Sequence, residues 1–243
     1  MLVVWKKEVL AFFRSIIGYL VMIVFLLMLG LIMWVFPDTS VLYYPYASMD
    51  QLFDLAPYVF LFLIPAITMR SFAEEIQNGT LEWLTSKPLS DVKILLGKYL
   101  ASWTLVVLAL VPTLLYYLSI YELGSPKGNI DTGAVMGSYI ALILLAGSFT
   151  AIGVFASAIT RNQIVAFLAA AFLCFAFHSF FDMISRMPIF TGGLDNMIQK
   201  MGIEYHYRSI SRGLVDTRDI LYFVLLIAAF LQLSWYVLIA KKH

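Results

Sequence analysis

Charge is scarce in this sequence. Only 13% of its 243 residues are Asp, Glu, Lys or Arg, and the formal net charge is +1; an ordinary soluble domain carries ~25% charged residues. A balance so thin leaves no basic stripe for a nucleic-acid backbone, so no nucleic-acid partner is expected. Cysteine is scarcer still. Cys174 stands alone inside an apolar run, which excludes an intrachain disulfide framework and a cysteine-based metal site. The histidines are His178, His206 and His243, too scattered for metal-ligand spacing. The sequence also has no G-x-x-x-x-G-K-[ST] loop, no H-E-x-x-H and no G-x-S-x-G. ATP binding through a P-loop is thereby excluded. Neither enzymatic activity nor a bound cofactor is expected of the chain.

What is abundant is apolar surface. Hydrophobic residues make up 62% of the chain, against ~45–50% in soluble domains. No soluble core of this size could hide that much, so much of it must face lipid. Ile16–Phe36 carries no charge and as a helix reaches roughly 31 Å, enough to cross a ~30 Å hydrocarbon core. It is too long for a signal-peptide core, and no small-x-small cleavage site follows, so it is expected to be an uncleaved first span. Further spans are expected over Leu52–Met69, Tyr99–Tyr121, Gly133–Ile159, Ile164–Met183 and Ile220–Ala240. The second carries Asp54, Pro57 and Pro65, and the third Pro112. The runs are continuous rather than alternating, so helices and not strands are expected. The fold class predicted is an all-α membrane protein of six transmembrane helices, forming one domain over 1–243.

Lys and Arg set the expected orientation. One side receives Lys6, Lys7, Arg14, Arg70, Lys87, Lys93, Lys98, Arg161, Lys241 and Lys242. The other receives Lys127, Arg186, Lys200, Arg208, Arg212 and Arg218. The first side is richer, which places both termini in the cytoplasm. Asn78-Gly79-Thr80 matches a glycosylation sequon but falls on the inner side of this topology.

Three segments are not simple spans. Val3–Arg14 suits either a short interfacial helix with its lysines toward anionic headgroups or the flank of the first span. The segment 70–98 between spans two and three is the most charged part of the chain. Gly79 is expected to end a short helix there, Pro88 to break the chain, and Ser90 or Asp91 to cap the next helix. The external stretch 184–219 is expected to carry short helices over Met197–Met201 and Tyr205–Leu214. Within the spans, His178 and Asp182 stand four apart, where a proton relay or, more ordinarily, an orienting hydrogen bond near water is expected. The Gly153, Ala156 and Ser157 face suits tight helix packing. Pro57, Pro65 and Pro112 suit either gating kinks or tolerated bends.

At the charged segment a resemblance becomes specific. Glu74–Ser90, E-E-I-Q-N-G-T-L-E-W-L-T-S-K-P-L-S, followed by Gly97-Lys98, resembles the signature of ABC-2 type transporter permeases. Trp5-Lys6-Lys7-Glu8 with Phe12-Phe13 and Gly18-Tyr19 resembles the family's N-terminal element. His206-Tyr207 through Tyr222-Phe223, with Arg212, Gly213, Asp216 and Asp219, resembles the stretch before its last span. Within the family the chain is most similar to gliding-motility-associated ABC transporter permease subunits of gliding bacteria.

The resemblance implies the ABC-2 permease fold, with an N-terminal interfacial helix, a cytoplasmic coupling helix between spans two and three, and short external helices before span six. It implies that the coupling helix docks on a separate ATPase, which supplies ATP and Mg. Here that maps onto Glu74–Leu84. Glu74, Glu75 and Glu82 would pair with basic groups of the ATPase, and Leu81, Trp83 and Leu84 would fill an apolar groove. Gly79 and Thr80 would carry the chain reversal, and Pro88 would end the segment. Expected partners are ABC ATPase subunits, a second permease, identical or related, and membrane lipid. The function implied is the permease of an exporter in a bacterial inner membrane, in a gliding-motility or secretion system. The alternatives are a membrane scaffold that anchors such a machine without transport, or an intramembrane enzyme using His178, Ser179 and Asp182. An ion-coupled carrier is disfavoured, because the spans lack mid-depth charges and no inverted repeat is visible.

Overall fold

Unpaired backbone groups are not tolerated in hydrocarbon, and apolar runs of this length satisfy them by becoming helices. A computed structural model describes residues 1–43, 47–80, 90–187 and 193–241, with Ile17 described by its backbone alone. No strand occurs among the described residues. In chain order the helices are α1 (Leu2–Arg14), α2 (Ile16–Trp34), α3 (Asp50–Thr68), α4 (Ala73–Gln77), α5 (Asp91–Leu110), α6 (Leu114–Leu123), α7 (Thr132–Ile159), α8 (Gln163–Phe175), α9 (Phe181–Ser185), α10 (Leu194–Gln199), α11 (Ile203–Ser211) and α12 (Thr217–Ala240).

Five stretches are long and apolar enough to cross a membrane: Asp50–Gln77, Asp91–Leu123, Thr132–Ile159, Gln163–Ser185 and Thr217–Ala240. Leu2–Arg14 and Gly18–Trp34, bent by 73°, make a sixth if counted as one span. The corner falls at Ser15, which is extended (φ −93, ψ 132). Of the two roles open to Val3–Arg14, the structure has the separate helix. α1 leans on α5, where Gly97 makes room for it. A Cβ at Gly97 would stand 2.9 Å from Val4 Cβ. Trp5 Nε1 donates to Thr104 Oγ1 at 3.1 Å.

The prolines act differently from one another. α3 runs unbroken past Pro57 and Pro65, so both are tolerated bends. Pro112 sits in a 3₁₀ turn, Val111–Thr113, that separates α5 from α6. The third apolar run itself opens at Tyr99, but its helix begins at Asp91 with Ser90 in the N-cap position, one of the two caps expected there. The outer helices form at Leu194–Gln199 and Ile203–Ser211.

α7 is the centre of the bundle and packs against α3, α5, α8, α11 and α12. Of its apolar window 78% is buried, against 28% for Gln163–Ser185 and 22% for α12. The last two are therefore peripheral and leave Leu168, Phe172, Leu221 and Leu225 exposed, as a lipid-facing surface requires. The small residues of α7 make its central place possible, because they let neighbouring backbones approach closely.

Candidate functional site

Met1, Lys241 and α4 lie at one end of the bundle, and the site begins with how α4 is held there. Its first amides have no partner within so short a helix. Ser157 of α7 supplies one: its Oγ accepts from Phe72 N and Ala73 N, both at 3.0 Å, and donates to the Met69 carbonyl at 3.0 Å. The hydroxyl's donor and both lone pairs are used. One turn back, Gly153 packs on Thr68, whose Cβ would stand 2.9 Å from a Cβ at 153. The small-residue face therefore serves packing and capping. Beneath α4 a second, small core gathers Phe72, Ile94, Leu95, Val154, Ala158 and Leu238. Lys241 closes it, donating from Nζ to the Ala158 carbonyl at 2.6 Å.

The helix ends as the sequence predicts. Gly79 is at the C′ position with φ +66, a conformation open to glycine at little cost. Thr80 N donates to the Glu75 carbonyl at 2.9 Å and Gly79 N to the Ile76 carbonyl at 3.4 Å. This is the paired 6→1 and 5→2 pattern of a Schellman motif. Glu74, Gly79 and Thr80 are exposed. Leu81, Glu82, Trp83, Leu84 and Pro88 lie outside the described residues.

One acidic residue departs from expectation. Glu75 does not face outward with Glu74; its Oε1 accepts from Lys98 Nζ at 2.8 Å. Lys98 is only 3% exposed, and its three donors are all used. The other two bonds go to Glu8 Oε1 at 3.1 Å and the Ser71 carbonyl at 2.6 Å. The ammonium also stands 5.1 Å from the Phe72 ring centre. One buried cation thus ties together α1, the α3–α4 turn, α4 and α5. A cavity of about 580 Å³ opens beside it, lined by Lys7, Arg70 and Glu74 among others. Sequence reasoning counted Lys98 as a loop charge and missed this role. The available signal was its place after Gly97, beside the apolar run that opens at Tyr99.

At the opposite end the residues of the external motif come together as a clasp. His206 of α11 stands between two acceptors, Asp219 Oδ1 at 2.6 Å from Nδ1 and the Lys200 carbonyl at 2.9 Å from Nε2. Its ring stacks on Tyr222 at 4.0 Å. Tyr207 donates from its buried hydroxyl to the Phe53 carbonyl at 2.6 Å, and burial raises that phenol well above its ordinary range. Asp216 caps α12 by accepting from Arg218 N at 2.9 Å. Gly213, at φ +83, meets Gly137 of α7 backbone to backbone. Arg212 is exposed and joins a cavity wall. A Cβ at Gly137 would stand 2.9 Å from both Gly213 Cα and the Ile210 carbonyl oxygen. Backbone cannot step aside, so Gly137→Ala is expected to cost about 1–3 kcal/mol. Gly133→Ala, whose nearest neighbour is the Asp131 side chain at 3.3 Å, should leave the thermal midpoint unchanged or raise it. Equal midpoints for the two variants would disprove the close approach.

His178 and Asp182 are not a pair. Residues 176–180 form a π turn, which adds a residue to the turn and takes positions four apart out of line. His178 Nδ1 lies 2.9 Å from Ser179 Oγ. Asp182 instead accepts from Gln199 at 3.0 Å and pairs with Arg186 at 2.7 Å. Both residues are buried, at 2% and 9% exposure, rather than open to bulk water. Burial raises the nearby Glu204 carboxyl above its ordinary value; Arg208, paired with it at 2.6 Å, opposes the rise. Among the described residues no group of three His, Cys, Asp or Glu could hold a metal ion.

Residues 37–203, more than half of the chain, match the family model described as ABC-2 family transporter protein. The match takes in α3 to α10 with the segment after α4, and it stops short of the N-terminal element and the external motif. No curated protein matches the chain.

Proposed function

The chain belongs to the ABC-2 transporter family, and from that premise we propose that it is the permease subunit of an exporter driven by a separate ABC ATPase that docks on the segment following α4. A single observation carries the proposal: the way α4 is fastened. Ser157 clamps it to α7, and Lys98 links it to α1 and α5. A pull on the residues after Gly79 is therefore felt at once by α1, α5 and α7. That is what a two-state rigid-body coupling needs, and the chain itself does no bond chemistry. Exposed Glu74 is left for a basic group of the ATPase, with Glu82 and the apolar Leu81, Trp83 and Leu84 following it in sequence.

Met1 and Lys241 share the α4 end, so docking of an ATPase there puts that end on the cytoplasmic side, in agreement with the distribution of Lys and Arg. One chain supplies half a pathway, and a second permease, identical or related, completes it with two ATPases. Membership of a gliding-motility or secretion system in a bacterial inner membrane rests on the overall similarity of the sequence to gliding-motility-associated permease subunits.

The test is co-purification of the ATPase with variants of the docking segment. Leu81→Arg and Gly79→Glu are expected to insert at normal yield and to lose the ATPase. A Cβ at Gly79 meets nothing within 4 Å, so the second variant costs only its left-handed backbone strain, about 1–2 kcal/mol. Recovery of the ATPase at wild-type yield with both variants would rule out docking at this segment.

A further inference from the structure

The outer end of the bundle holds a cavity of about 760 Å³, and a second of about 330 Å³ shares Tyr58, Glu204 and Arg208 with it. The walls of the larger one carry opposite charge. α3 contributes Asp50 and Asp54, four apart and so on one helix face; α11 contributes Arg208, and Arg212 follows at its C-cap. Among the described residues no ion pair joins the two walls, and Arg208 is instead held by Glu204 of its own helix. The cavity is also lined by His178, 2% exposed, whose Nε2 has no hydrogen-bond partner among the described residues. A polar atom so buried is costly unless something bonds it.

The smaller cavity lies where α3, the end of α8, α9 and α11 meet. Besides the shared Glu204 and Arg208 it is lined by Ser179, Asp182 and Arg186, and on its outward side by Tyr58, Phe175 and Met183, which are 46%, 40% and 56% exposed. About one turn deeper on α3 and α8, Phe62 and Phe172 are exposed as well. A charged chamber therefore continues sideways into apolar surface.

We propose that this chamber binds the headgroup of a zwitterionic amphiphile of the outer leaflet, its anionic group toward Arg208 and Arg212, its ammonium toward Asp50 and Asp54, and its chains leaving between α3 and α8. A purely anionic headgroup would meet Asp50, Asp54 and Glu204, and a purely cationic one the arginines. Only a ligand carrying both signs is complementary to both walls. A soluble zwitterion would make no use of the apolar exit. Nothing here depends on an ATPase, so binding is read on the permease alone, and failure of the docking proposal leaves this one standing.

The experiment titrates the purified permease in detergent with short-chain phosphatidylethanolamine, phosphatidylglycerol and soluble phosphoethanolamine, and counts bound ligand by native mass spectrometry. Phosphatidylethanolamine is expected to bind roughly tenfold or more tightly than either of the others. Arg212→Gln and Asp54→Asn, both exposed positions, should each weaken that binding by roughly tenfold, the loss of one charge-assisted hydrogen bond, with the thermal midpoint unchanged. Equal binding of the two lipids, soluble phosphoethanolamine binding as tightly as the lipid, no binding at all, or variants that bind like the wild type would each overturn the proposal.

Discussion

Lys98→Met is expected to lower the stability of the folded bundle by about 3–5 kcal/mol, because it removes one partner from a buried ionic network and leaves the others. Glu8 and Glu75 would keep their charges at 26% and 16% side-chain exposure with no cation between them, and the Ser71 carbonyl would lose its 2.6 Å donor. Methionine fills nearly the same volume, so the loss is electrostatic rather than a cavity. The prediction sharpens with the double variant Lys98→Met, Glu75→Gln. Neutralising the orphaned carboxylate should restore part of the stability, since an uncompensated buried charge costs more than a neutral apolar contact. Reversible unfolding in mixed micelles measures both. If Lys98→Met unfolds within ~1 kcal/mol of the wild type, the hub is not what holds α1, α4 and α5 together. A functional readout separates stability from coupling. Because the network lies between α4 and the spans, the single variant should bind the ATPase yet uncouple hydrolysis from transport.

Gly153→Ala is the second. Every near neighbour of an added Cβ belongs to the Thr68 side chain, with its Cβ at 2.9 Å and Cγ2 at 3.1 Å. Thr68 is fully buried and is held by its own bond to the Ile64 carbonyl at 2.8 Å, so it cannot swing away. One methyl group should therefore cost about 1–3 kcal/mol and push α3 from α7 at the level where Ser157 caps α4. The paired change Gly153→Ala, Thr68→Gly moves the bulk from one helix to the other and should recover most of the loss. Thermal unfolding of the single and double variants decides it. A double variant no more stable than Gly153→Ala alone would refute a direct contact at this crossing.

Much of the local structure was legible. The apolar runs became helices because lipid permits little else. Gly79 ended α4 because a left-handed residue there suits glycine, and Ser90 stood at the start of α5. The outer helices formed near Met197–Met201 and Tyr205–Leu214. The candidate site was legible only in part. The acidic pair Glu74-Glu75 marked the right segment, but no local signal said that one carboxylate would turn in to Lys98 while the other stayed exposed. His178 and Asp182 misled in the opposite way. Their spacing promised a contact on a regular helix, and a π turn removed it.

The scarcity of charge with which the sequence begins determines by itself that this is an all-α, multi-pass membrane protein, because 62% apolar residues in long runs admit no soluble core. The sequence likewise marks several helix ends, such as Gly79 after α4 and Ser90 before α5, since caps and glycines act on their immediate neighbours. Tertiary structure alone decides what the few charges do. Lys98 and Glu8 are joined across ninety positions, Ser157 caps a helix eighty-five positions away, and Asp54 faces Arg208 across a chamber that no contiguous segment encloses. Helix periodicity fixes which residues share a face, but which faces meet depends on packing between helices distant in sequence, and in this bundle that packing turns scattered ions into an ionic hub at one end and a charged chamber at the other.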